Sequence, residues 1–256
     1  MDFSFSKAPD MYGAFHISIL AAFLVTDVLL FLFLKKKPEK TLRKAIHVMG
    51  MIMIVLEIWK QWFIFTYIYE RYTMWFFPWQ LCSMAMYLSS LLPFLKGKTE
   101  EASLVFLSTF SLFAAVMALL VPSDMLRKQV LFTLHGFIYH EIMIAESLCA
   151  MIIVSRRKEY RFRPSVVMFL IMAVIAEVIN VIGHFLMRNI NREPDMFFIT
   201  PFYKTDQPVF DYIAEKLGII PEIIIYLALI VLAAFLIYAA VRRFIKAEEA
   251  NENGTV

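Results

Sequence analysis

The sequence predicts an all-α membrane protein, a bundle of seven transmembrane helices forming one domain, and three observations carry that reading. Hydrophobic residues make up 61% of the chain and mean hydropathy is +0.68, whereas a soluble globular domain is about 45–50% apolar. The apolar residues fall in long runs, and about 20 mostly apolar residues are what a helix needs to cross a bilayer. The basic residues gather in short segments between those runs, as in membrane proteins. A soluble fold has no means of hiding this much apolar surface. The net charge of +3 is small and gives no pointer to nucleic acid.

Seven runs satisfy the length requirement: residues 11–34, 45–66, 77–95, 102–121, 130–154, 166–187 and 219–241. The first is too long for a signal-peptide core and no basic stretch precedes it, so it reads as an uncleaved span. The second carries Glu57 and Lys60. The third is entered through Pro78, and the fourth is closed by Pro122. The fifth carries two histidines, and the sixth carries Glu177, Asn180 and His184. The seventh lacks a lysine on which a retinal Schiff base could form. Transmembrane strands are excluded because the runs are too long and do not alternate apolar with polar. No internal repeat and no linker divides residues 1–256.

Lys and Arg are about twice as numerous in segments 35–44, 96–101, 155–165 and the C-terminal tail as in the segments at the other end. By the positive-inside rule the expected orientation is N-terminus out and C-terminus in. Tyr67–Gln80, dense in Tyr, Trp and Phe, then reads as an interfacial belt at the outer face. The long 188–218 connection is expected to cover the outer mouth as a cap or re-entrant element.

Ionisable groups inside spans are costly and therefore point to function. Here they share a depth. Glu57, Lys60, Cys82, His135, His140, Asn180 and His184 all fall in the outer halves of their spans, with Glu177 near the middle of its own. Such a pattern predicts a water-reachable cavity open to the outer leaflet. Cys82 is the candidate nucleophile, since Pro78 favours a helix start nearby and free N–H groups at a helix N-terminus assist a thiolate or a developing oxyanion. A lone membrane cysteine is also a good apolar filler, and Cys149, at the opposite depth, reads as one. Two cysteines at different depths make no disulfide framework.

A thiol nucleophile needs a base, and histidine is the usual one. His135 and His140 are five positions apart and do not share a helix face; each is equally explained by a hydrogen bond to a neighbouring helix. Glu57 and Lys60, three apart, are placed to pair on one helix. Asn180 and His184, four apart, share a face with Glu177 and suit either a helix bridge or a head-group contact. A second enzymatic reading is a zinc-dependent intramembrane hydrolase using His135 or His140, His184 and Glu177. A third, from another class, is a transporter or sensor binding a small polar solute in the same cavity.

The stretches WQLCSMAMYLSSLLP and EIWKQ resemble the transmembrane protein 164 / YwaF family of integral membrane proteins, which has a Leu-Cys pair at the outer end of a helix. VPSDMLRKQVLFTLHGFIYHEIMI is similar to its later segment, in which a Pro-Asp turn leads to a helical histidine. His140 matches that position better than His135. PDMFFITPFYKTDQP resembles a further stretch, but Asp195-Met196 stands where Asn-Tyr is expected and no Lys-Pro pair follows. That departure bears on head-group preference. The resemblance covers most of the chain. It implies a Cys–His acyltransferase or hydrolase acting on membrane phospholipids in a bacterial cell membrane. Cys82 would be the nucleophile and His140 the general base. His135, His184, Asn180, Glu57, Lys60 and Glu177 would support the site or bind substrate. Neither a metal nor a soluble cofactor is implied.

Overall fold

The computed structural model describes residues 4–68, 73–187 and 194–253. Nine α-helices are found among them: α1 (Ala14–Leu34), α2 (Glu39–Phe63), α3 (Leu81–Leu91), α4 (Gly97–Phe106), α5 (Leu112–Leu120), α6 (Val130–Arg156), α7 (Phe162–Met187), α8 (Phe210–Leu217) and α9 (Ile219–Asn253). The described residues form no strand; Ser4 and Gln129 make an isolated bridge. Arg71, Arg188 and Arg192, which entered the charge count, lie outside the described residues, as do positions 69–72 of the aromatic belt.

Six helices are long and apolar enough to cross a membrane: Ala14–Leu34, Glu39–Ile68, Gly97–Leu120, Val130–Arg156, Phe162–Leu186 and Ile219–Arg243. The expected third span, 77–95, is shorter than the sequence suggested. Its helical part is Leu81–Phe94, about 20 Å at 1.5 Å per residue against a hydrocarbon core near 30 Å. The apolar run overstated it because Phe77, Pro78 and Trp79 belong to an irregular approach. Met74–Phe76 forms a single tight turn, and Pro78 stands before the helix cap, not at the first helical position.

The third long crossing is bent rather than straight. Leu107–Ser111 forms a π turn between α4 and α5. Ser108 and Thr109 both donate their hydroxyls to the Val105 carbonyl, at 3.0 and 2.6 Å. Side chains that compete for a helix carbonyl loosen the α ladder. A second π turn, Ile64–Ile68, extends α2.

Helix α6 is the hub, packed against α1, α2, α4, α5 and α9. In its most apolar window 61% is buried, and 67% in the α4–α5 crossing, against 6% in α1 and 11% in α9. The outer helices turn Leu24, Leu29, Val174, Leu186, Leu232 and Leu236 outward. Apolar belts of this extent are stable in lipid and not in water. Helices α2 and α3 approach closely at Gly50. A Cβ at Gly50 would lie 2.5 Å from the Ser90 nitrogen and 2.7 Å from Ser89 Cβ, so only glycine permits the approach.

The two ends of the bundle differ. At one end Arg43 pairs with Glu39 at 2.6 Å and with Glu100, and Arg157 reaches Glu39 at 3.1 Å. Arg156 donates to the carbonyls of Lys35 and Lys37, and Arg242 to those of Arg157 and Tyr160. This basic lattice ties the ends of α1, α2, α4, α6 and α9. The other end holds the candidate site.

Candidate active site

Helix α3 places Cys82. Gln80 caps the helix with extended backbone, and Ser83 donates its N–H to the Gln80 carbonyl at 2.8 Å. Cys82 is therefore in the first turn, as expected, and it is half-buried. Cys149 is fully buried in the core on α6, and both thiols are free.

Helix α2 supplies Glu57, Lys60 and Gln61. Lys60 Nζ sits 2.7 Å from Glu57 Oε2. Gln61 donates to Glu57 Oε1 at 2.6 Å and to the Phe76 carbonyl at 2.7 Å. Both carboxylate oxygens are thus occupied from within the same helix, and Glu57 is no free base. The Lys60 ammonium is the common electrostatic neighbour of Cys82, His135 and His140. Cys82 is also within electrostatic reach of Tyr139 on α6 and Tyr226 on α9.

The two histidines of α6 have different hydrogen-bond partners. His135 donates Nε2–H to the Leu56 carbonyl at 3.0 Å, bracing α6 against α2. Its ring lies between Trp59, at 5.4 Å, and Tyr139, at 5.9 Å. His140 donates Nδ1–H to the carbonyl of Gly136, one turn earlier on its own helix, at 2.7 Å. A carbonyl only accepts, so the bond fixes the tautomer: in neutral His140 the lone pair is on Nε2. His140 is half-buried, and Nε2 makes no hydrogen bond with the described residues. His16 is a contrast: both ring nitrogens are engaged, by the Tyr12 N–H and the Leu119 carbonyl.

Glu177, Asn180 and His184 on α7 are drawn into a different structure. Residues 194–200, part of the long connection, are not a surface loop but a buried plug. Pro194, Asp195, Met196, Phe197, Ile199 and Thr200 are all buried. Asn180 holds Met196 by both backbone groups, donating to its carbonyl at 3.1 Å and accepting its N–H at 2.6 Å. Gln80, next to Cys82 in the chain but one, does the same from α3. It donates to the Asp195 carbonyl and accepts the Phe197 N–H, each at 2.9 Å. Non-helical backbone at such depth needs partners of this kind. Phe197 and Phe198 adopt left-handed backbone, with φ of 61° and 56°. His184 stacks on Phe202 with ring centroids 3.7 Å apart.

Burial pushes the Asp195 carboxyl up to about 7; the Thr200 N–H bond opposes this, and Asp206, Glu222 and Glu177 add to it. Glu222, buried at the start of α9, leaves Oε1 unpartnered, and Glu177 leaves Oε2 unpartnered. Among the described residues no group of three or more His, Cys, Asp or Glu is arranged to hold a metal ion. The zinc set of a histidine of α6, His184 and Glu177 is therefore not assembled.

The structure thus carries Cys82, Lys60, Glu57, His135 and His140 on α2, α3 and α6, which pack on one another; Asn180 holds the plug, and His184 stacks on Phe202 just beyond it. Gln80 and Tyr226 were missed in the sequence. Gln80 occupies the cap position ahead of a cysteine-bearing helix, which is the one signal that marked it; Tyr226 lies in an otherwise featureless apolar run.

The fold and site define a class: a polytopic all-α integral membrane protein with a half-buried thiol and an imidazole near one end. The sequence profile of the TMEM164 family matches residues 11–239. With that coverage the chain belongs to the TMEM164 family. No curated protein and no solved structure matches it.

Proposed function

We propose that this protein is a lipid acyltransferase or lipid hydrolase working through an acyl-thioester on Cys82. The chain would cross the membrane seven times, with α3 as the short crossing, the N-terminus outside and the basic lattice at the cytoplasmic face. The observation that carries the reading is the tautomer of His140. Its Nδ1–H is committed to Gly136, leaving Nε2 as a proton acceptor in the region where Lys60 acts on both His140 and Cys82.

His140 Nε2 takes the proton of the Cys82 thiol, and Sγ attacks the ester carbonyl of a phospholipid. The carbonyl carbon–oxygen bond to the glycerol breaks, and the leaving lysolipid oxygen takes the proton from His140. The acyl group is then a thioester on Cys82. A second lysolipid hydroxyl, or water, attacks it while His140 removes that proton. The thiolate departs and recovers the proton, completing the cycle. Lys60 offsets negative charge that builds on sulfur and on the carbonyl oxygen. Free N–H groups in the first turn of α3 aid the same oxyanion. His135 keeps α6 in register with α2 and does not touch the reacting atoms.

The test is direct. The protein is reconstituted with phospholipid labelled in its acyl chain and followed for lysolipid release and for label on the protein. A hydroxylamine-labile label on wild type, absent from Cys82→Ala, is the expected result. Full turnover by Cys82→Ala removes the mechanism; solute flux retained by the same variant would favour a transporter instead.

A further inference from the structure

At the basic end, away from Cys82, a cavity of about 410 Å³ opens between α2, the end of α3 and α4, lined by Arg43, Lys44, His47, Leu92, Pro93, Leu95 and Glu100. Its polar groups are unequally engaged. Arg43 is committed to Glu39, Glu100 and Tyr160. Lys44 is exposed and forms no ion pair with the described residues. His47 donates Nδ1–H to the Ser90 carbonyl at 2.9 Å, so Nε2 of the neutral ring is an acceptor. Glu100 adds a carboxylate. The cavity therefore offers one uncommitted cation, two hydrogen-bond acceptors and an apolar wall.

We propose that this cavity binds the head group of an anionic phospholipid whose phosphodiester carries a hydroxylated alcohol, as in phosphatidylglycerol, drawn from the leaflet at the basic end. Lys44 meets the single phosphate charge, as basic pockets between membrane helices commonly do. The head-group hydroxyls donate to His47 Nε2 and Glu100. Leu92, Pro93 and Leu95 pack against the glycerol backbone and first methylenes of the acyl chains. The Glu100 carboxylate disfavours a doubly charged phosphate monoester, so the chemistry selects a diester. The site takes no part in the acyl-transfer reading and stands or falls without it.

The experiment uses full-length protein in nanodiscs of phosphatidylcholine titrated with phosphatidylglycerol, with bound lipid counted by native mass spectrometry. One phosphatidylglycerol per chain is expected to outlast phosphatidylcholine. Lys44→Glu is expected to weaken it about tenfold, near the effect of one to two lipid–cation contacts. Lys36→Glu, exposed at the same end but outside the cavity, should leave affinity within about twofold. His47→Phe should abolish the preference for phosphatidylglycerol over phosphatidic acid. Lys44→Ala gives the same readout in smaller degree should the charge reversal fail to fold. Equal loss in Lys36→Glu, or equal retention of phosphatidylcholine, overturns the site. Displacement by millimolar glycerophosphoglycerol, the deacylated diester, would assign the site to a soluble polyol phosphodiester and overturn the lipid.

Discussion

His140 carries the sharpest expectation at the scale of single residues. Its Nδ1 bond to Gly136 sets which nitrogen accepts a proton, so His140→Gln should lower lipid turnover by about 10²–10⁴-fold, the usual worth of a general base. Thermal unfolding in detergent should change little, since only a bond within one helix is lost. Lys60 is different, because its partner is buried. Lys60→Met leaves the Glu57 carboxylate without its cation, and unfolding should move by about 3 kcal/mol. Adding Glu57→Gln should restore most of that stability without restoring turnover. A double variant that regains full activity would reduce the pair to neutralisation alone. Asp195 yields a pH dependence with a definite sign. Its folded-state acidity constant lies near 7, above the ordinary 3.8, so the folded protein holds this proton more tightly than the unfolded chain. The plug is then most stable below about pH 4 as far as this group is concerned, and loses stability as pH rises toward 7. Amide exchange at Met196 and Phe197 should quicken over that window, after correction for intrinsic rates, and Asp195→Asn should flatten the trend.

Among the elements, glycine contacts set how close helices come. Gly50→Ala drives a methyl into the Ser89–Ser90 backbone, and should cost about 1–3 kcal/mol as over-packing while displacing Cys82 from Lys60; melting and turnover should fall together. Gly183→Ala tests the plug in the same way, since its Cβ would lie 2.3 Å from Pro194 Cγ. The crossings were legible in the sequence because lipid imposes both length and composition, and six of the seven runs became long helices. The third did not, since hydropathy is blind to the difference between helix and aromatic turn in FFPW. The pairing of Glu57 with Lys60 followed from spacing alone, whereas the use of Asn180 did not. Its partners are backbone atoms of residues 16 positions away, and main-chain polar groups leave no trace in side-chain pattern.

Across the whole molecule the ends differ: an arginine lattice with Glu39 and Glu100 closes one end, while Cys82, His135, His140 and the plug occupy the other. The bland outer helices α1 and α9 face lipid, and the bent α4–α5 crossing and α6 form the interior. The resemblance seen in four short stretches extends over residues 11–239, so the local motifs were parts of one continuous pattern. The plug has a consequence for how the chain is made. Gln80 and the plug residues it grips are 115 and 117 positions apart. Until the ribosome has delivered that distant stretch, the amides of Gln80 and Asn180 have no backbone to hold. The mouth beside Cys82 thus gains its α2, α3 and α6 walls before its stopper, and a nascent chain halted ahead of Pro194 should sit in the membrane with that mouth uncorked.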